Sequence, residues 1–151
     1  MWRPDWFKKL NEARPVPRGR VTILALSMSF EDRFLLERLG KRYGWELRFT
    51  YSPREGFNLA SQRHFELILC DRNQPGYPWR EVVDRFAACS PQSCILLVSP
   101  VSDDYLWRDV LQQGGYDVLL RPLREEPALR AVQAVLRFVS PESGVSVGSE
   151  Y

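Results

Sequence analysis

Five short strand-like runs, each followed by an amphipathic stretch, carry most of the structural information in the chain. The runs are Val21 to Leu26, Glu46 to Tyr51, Phe65 to Cys70, Cys94 to Val98 and Tyr116 to Leu120. Apolar runs of this length, bounded by turn residues, predict strands of a buried sheet. The stretches between them predict helices. Phe30 to Tyr43 places Phe34, Leu35 and Leu39 on one face and is stopped by Gly44; Pro53 to Arg63 follows the second strand. Pro78 to Cys89 turns Val82, Val83 and Phe86 inward, and Asp103 to Gln113 starts with Ser102 as its cap. The last, Pro127 to Val139, opens on a proline tolerated in a first helical turn and carries the stripe Leu129, Val132, Leu136 and Val139. Strand and helix alternating in this way define an α/β domain with a parallel sheet.

The ends of three runs carry chemistry. Phe65 to Cys70 leads into Asp71 and the turn Arg72-Asn73-Gln74-Pro75-Gly76; Cys94 to Val98 leads into Ser99; Tyr116 to Leu120 leads into Arg121-Pro122. In open α/β sheets the crevice outside the carboxyl ends of the strands is where ligands bind. One acid, one hydroxyl and one cation are therefore expected at one sheet edge.

This order and spacing resemble the receiver domain of bacterial two-component response regulators, from about Arg20 to Ser140. Asp71 with Pro75-Gly76 is similar to the phosphoacceptor motif of that family. Ser99 stands at the position of the hydroxyl that contacts the phosphoryl group, and Gly114-Gly115-Tyr116-Asp117 through Arg121-Pro122-Leu123 resembles the fifth-strand signature, with Arg121 in place of a lysine. The resemblance implies a flavodoxin-like (βα)5 three-layer sandwich with a parallel five-stranded sheet in the order 2-1-3-4-5.

The departures from that family bear on function. Its first strand ends in two carboxylates that hold Mg²⁺ with the phosphoacceptor, whereas here the degenerate metal positions are Ser27 and Met28. Mg²⁺ is a hard cation that takes oxygen ligands, so a hydroxyl is a poor substitute and a thioether a worse one. Glu31 and Asp32 lie nearby and are candidates for replacement ligands, but they read better as first-turn acids of a helix capped by Ser29. Arg121, always charged and forked, is expected to pair with Asp71 and hold it ionised. The aromatic that reports phosphorylation in the family is matched by Val118, stiff and short; Tyr116 lies two residues earlier on what should be the same strand face. The loop aromatics Tyr77 and Trp79 are candidates either for partner contacts or for covering the vacated metal site.

Size and composition add bounds. The chain has 151 residues, 44% hydrophobic and 26% charged, with a net charge of +2, so whole-molecule electrostatics select no partner. The charge is uneven: residues 1 to 20 carry six basic side chains against Asp5 and Glu12, leaving the remainder slightly acidic. With Trp2, Trp6, Phe7 and Leu10 at near-helical spacing, that basic arm (1–19) is expected to dock on its own domain or on a second subunit. Nucleic acid or an anionic surface is the weaker reading. Residues 20–140 form the receiver-like domain and 141–151 a flexible tail. Cys70, Cys89 and Cys94 lack metal-ligand spacing and read as packing residues of a cytoplasmic protein. His64 stands alone, with no partner for a metal site or a catalytic set, and no G-x-G-x-x-G follows the first strand.

The sequence thus leads to a stand-alone receiver-like domain in phosphorelay-type signalling, not an enzyme. It is expected to act through protein partners, a histidine kinase or a downstream protein, with a homodimer through the helix 4–strand 5 face possible. No cofactor is implied and Mg²⁺ is not expected to be held; phosphorylation is expected to be slow or absent. The alternatives are a phosphorylation-competent receiver using Asp71 and a flavodoxin-like small-molecule binding module.

Overall fold

The structure, a computed structural model, describes residues 21–139. The basic arm and the tail lie outside them. Five strands and five helices alternate: β1 (Val21–Leu26), α1 (Phe30–Tyr43), β2 (Trp45–Thr50), α2 (Pro53–Gln62), β3 (Leu67–Asp71), α3 (Trp79–Cys89), β4 (Cys94–Ser99), α4 (Asp104–Gln112), β5 (Asp117–Leu120) and α5 (Glu125–Val139). All pair in parallel in the order β2-β1-β3-β4-β5. This is the flavodoxin-like (βα)5 arrangement expected from the sequence.

The helices divide the core in two, one on each face of the sheet. Leu35, Leu36 and Leu39 of α1 and Ala128, Val132 and Val135 of α5 pack on one side with Ile23, Ala25, Leu69 and Val98. Phe57 of α2, Val82, Val83 and Phe86 of α3, and Leu106 and Val110 of α4 pack on the other with Leu24, Ile68, Cys70 and Leu97. β3 and β4 are buried at every position because helices cover both faces, which explains their unbroken apolar runs. Cys70 and Cys94 are buried there and Cys89 is half-buried, all three free.

Several local readings need correction. Phe34 is 61% exposed; the apolar face of α1 is Leu35, Leu36 and Leu39. The cap of α4 is Asp103, whose carboxylate accepts the Leu106 N–H at 2.8 Å, so Ser102 lies one residue too early. α5 begins at Glu125, two residues before Pro127, where Arg38 and Arg42 of α1 reach the Glu125 carboxylate at 3.3 and 2.8 Å. Of the expected stripe, Val132 is buried and Leu129 packs half-buried against the same core, joined by Ala128 and Val135, while the side chains of Leu136 and Val139 lie outside those described. Tyr116 and Val118 fall in opposite halves of the core. β5 starts at Asp117, so the two-residue alternation of a strand does not extend back to Tyr116. Of the two loop aromatics, Trp79 is buried with α3, and the half-buried Tyr77 packs edge-on against Phe57 at 6.3 Å.

Candidate functional site at the strand ends

In the order β2-β1-β3-β4-β5, β1 and β3 flank the point where the chain reverses its direction of winding, so the crevice opens beyond their carboxyl ends. Parallel pairing fixes the floor of that crevice. Asp71 is in register with Val98, and the ladder continues past the strands through Arg72 N–H to Val98 O at 2.8 Å and Arg121 N–H to Ser99 O at 2.9 Å. Asp71, Ser99 and Arg121 therefore stand at the ends of three adjacent strands, as their spacing implied.

Asp71 is 3% exposed. Its Oδ1 accepts the Asn73 N–H at 2.8 Å, which shapes the turn after β3, and its Oδ2 lies 2.7 Å from Arg121 Nη1. Burial pushes the Asp71 carboxyl above the usual carboxylate range; the Asn73 N–H and the Arg121 charge pull it back, and the nearby Asp32 charge pushes it up further. Burial prevails over the ion pair. Burial also raises two strand thiols, Cys94 at the far end of β4 to about 12 and Cys70, next to Asp71, further, with the Asp71 charge adding to the shift at Cys70. Neither thiol is a nucleophile near neutral pH.

Asp32 is the residue that sequence reasoning weighed as a replacement ligand and misassigned to helix capping alone. Its backbone N–H is capped by Ser29 Oγ at 3.1 Å, as expected for a first-turn acid, yet its side chain is 1% exposed and points across the sheet edge. Asp32 Oδ1 accepts the Leu123 N–H at 2.9 Å, and Oδ2 lies 3.5 Å from Arg121 Nε. One guanidinium thus touches two buried carboxylates. The signal was present in the chain as an acid three residues beyond a cap, but that placement alone reads as dipole compensation.

Gln74 was missed. Its buried amide donates to the Asp71 carbonyl at 2.8 Å and accepts from Ser27 Oγ at 2.9 Å, so it lies across the gap between the ends of β1 and β3. Ser27 adopts a left-handed φ of 59°, unusual for a residue with a side chain, while its N–H reaches Thr50 O at 2.8 Å. Met28 is buried in the α1–α5 half of the core, away from this polar group. The Ser99 hydroxyl accepts from Arg72 Nη1 at 3.3 Å and from Val101 N–H at 3.2 Å, and so is engaged in its own loop. Among the described residues, no group of three or more His, Cys, Asp or Glu side chains is placed to hold a metal ion. His64 is exposed in the loop before β3.

In fold the chain is receiver-like, with the architecture of CheY-like response-regulator receivers. In particular, the chain is similar to the transcriptional regulatory protein ZraR of Salmonella typhimurium, with 24% identity over 106 residues, 70% of this chain and 24% of that protein. The match to its Escherichia coli O157:H7 counterpart is 22% over 103 residues. The chain spans about a quarter of the length of these relatives. Among solved structures, chemotaxis protein CheY4 of Vibrio cholerae superposes with a TM-score of 0.69 at 21% identity, over 78% of this chain and 99% of that one. A response regulator of Thermotoga maritima gives 0.71 at 17% identity over 78% and 98%. A Burkholderia pseudomallei response regulator, solved with a phosphorylated aspartic acid, a calcium ion and citrate, gives 0.61 at 17% identity over 86% and 72%. No protein-family model matches the chain. None of the described helices is long and apolar enough to cross a membrane.

Proposed function

We propose that this chain is a receiver-like module of phosphorelay-type signal transduction that works in the cytoplasm through contacts with other proteins, and that it is not an enzyme. The observation that carries the reading is the cation already seated on Asp71, the phosphoacceptor position: Arg121 Nη1 at 2.7 Å from Oδ2.

Mg²⁺ demands a near-octahedral shell of oxygens. The residues present do not fit it. Asp71 Oδ2 faces a guanidinium, the Ser27 hydroxyl is committed to Gln74, and Met28 is packed in the core. Phosphoryl transfer depends on positioning and on cations that neutralise charge on donor and acceptor. Without a metal site, transfer to Asp71 is slow or absent, and signalling depends on which proteins the domain binds. A histidine kinase or a downstream signalling protein is the partner class. Tyr105 of α4, 79% exposed, and Leu120 of β5, 55% exposed, lie on the helix 4–strand 5 side and support that face as a contact or dimer surface.

The test is intact mass after incubation with acetyl phosphate and Mg²⁺, beside an Asp71→Asn control. The expected result is folded protein with no adduct. A phosphoryl adduct lost in the control would make Asp71 a working acceptor and end this reading.

A further inference from the structure

We propose that Arg121 is the built-in cation of the strand-end site: its guanidinium holds Asp71 and Asp32 in the place of a divalent metal, and arginine and metal exclude one another. This rests on the reading of the site given above, and it adds the second carboxylate and the consequence of withdrawing the arginine.

Three observations carry it. First, both carboxylates are buried and come from separate elements, the end of β3 and the first turn of α1, so each needs a counter-charge inside the crevice. Arg121 supplies both through different nitrogens of one planar fork, Nη1 to Asp71 Oδ2 at 2.7 Å and Nε to Asp32 Oδ2 at 3.5 Å. A lysine, a compact point charge, lacks that bridging geometry. The remaining ion pairs of the described residues join side chains that are each at least about a third exposed.

Second, Asp32 Oδ2 is buried and has no hydrogen-bond partner. Its other oxygen is fixed by the Leu123 N–H at 2.9 Å, which orients Oδ2 towards the crevice. A buried carboxylate oxygen with an ion-pair contact but no aligned donor is an incompletely filled ligand position.

Third, the two acids sense each other, since the charge of Asp32 raises the Asp71 carboxyl. Two carboxylates coupled in one low-dielectric crevice are relieved by a proton on one of them or by a cation between them. Arg121 is that cation in the native chain. Remove it, and the two oxygens face a space that a divalent ion can enter.

The experiment is isothermal titration of the full chain with Mn²⁺, comparing wild type, Arg121→Ala, and Arg121→Ala combined with Asp32→Asn. Circular dichroism verifies the fold, and Arg121→Gln replaces Arg121→Ala if the alanine variant does not fold. The arginine-free variant should bind Mn²⁺ at least about tenfold more tightly than wild type, roughly 1.4 kcal/mol, and the added Asp32→Asn should abolish that gain. Equal affinity of wild type and variant, or a gain untouched by Asp32→Asn, would overturn the proposal. The functional reading fails separately: an acetyl phosphate adduct on wild-type Asp71 defeats that reading whatever the titration shows, while a flat titration of the arginine-free variant defeats only this inference.

Discussion

Asp32, in the first turn of α1, accepts the backbone N–H of Leu123 at 2.9 Å and so ties that helix to the loop beyond β5. The bond is buried, and the same side chain faces Arg121. Asp32→Ala leaves a buried N–H without an acceptor and a guanidinium short of one partner, at an expected cost of about 1–3 kcal/mol. Asp32→Asn retains an oxygen for Leu123 and should lose less. Urea unfolding of both variants orders them. An alanine variant as stable as the asparagine variant would show that the Leu123 bond contributes nothing.

This tie also marks the limit of what the sequence discloses. The five strands, the parallel order and the convergence of Asp71, Ser99 and Arg121 on one edge were legible because short apolar runs and strand-end residues report local structure and topology together. Asp32 was not, because its local pattern is satisfied by helix capping, and its role depends on a loop that only the fold brings near. Phe34 failed for a related reason: the helical face it shares with Leu35 and Leu39 is wider than the contact area the sheet provides, so the residue at its margin stays in solvent. Gln74 gives no sequence signal, since an amide in a Pro-Gly turn reads as solvated.

Asp71 sets a pH dependence whose sign follows from its environment. Burial raises its carboxyl above the unfolded value. The native state therefore keeps the proton to higher pH than the unfolded chain, and the contribution to stability is fully present below the unfolded pKa of roughly 3.9 and is lost as pH rises through the raised native value. Asp71→Asn removes this titration. The stability of wild type minus that of Asp71→Asn should accordingly fall between acid and neutral pH. Denaturant unfolding of both proteins at matched pH values measures it. A difference that grows towards neutral pH would mean that the Arg121 ion pair outweighs burial.

The turn from α4 into β5, which delivers Arg121 to the site, depends on Gly114. Its φ of +99° lies in the region that side chains rarely adopt, and a Cβ there would sit 2.7 Å from the Cβ of Ala87 on α3. Gly114→Ala thus meets both backbone strain and a steric clash with a neighbour, and should cost more than about 1 kcal/mol. The two causes separate in a double-mutant cycle with Ala87→Gly. Removing the Ala87 methyl relieves the clash but leaves the backbone strain, so Gly114→Ala should be less costly in the Ala87→Gly background than in wild type, though still destabilising. Equal costs in both backgrounds would place the whole penalty in the backbone, and the close packing of α3 against this turn would then play no part in holding β5 in register.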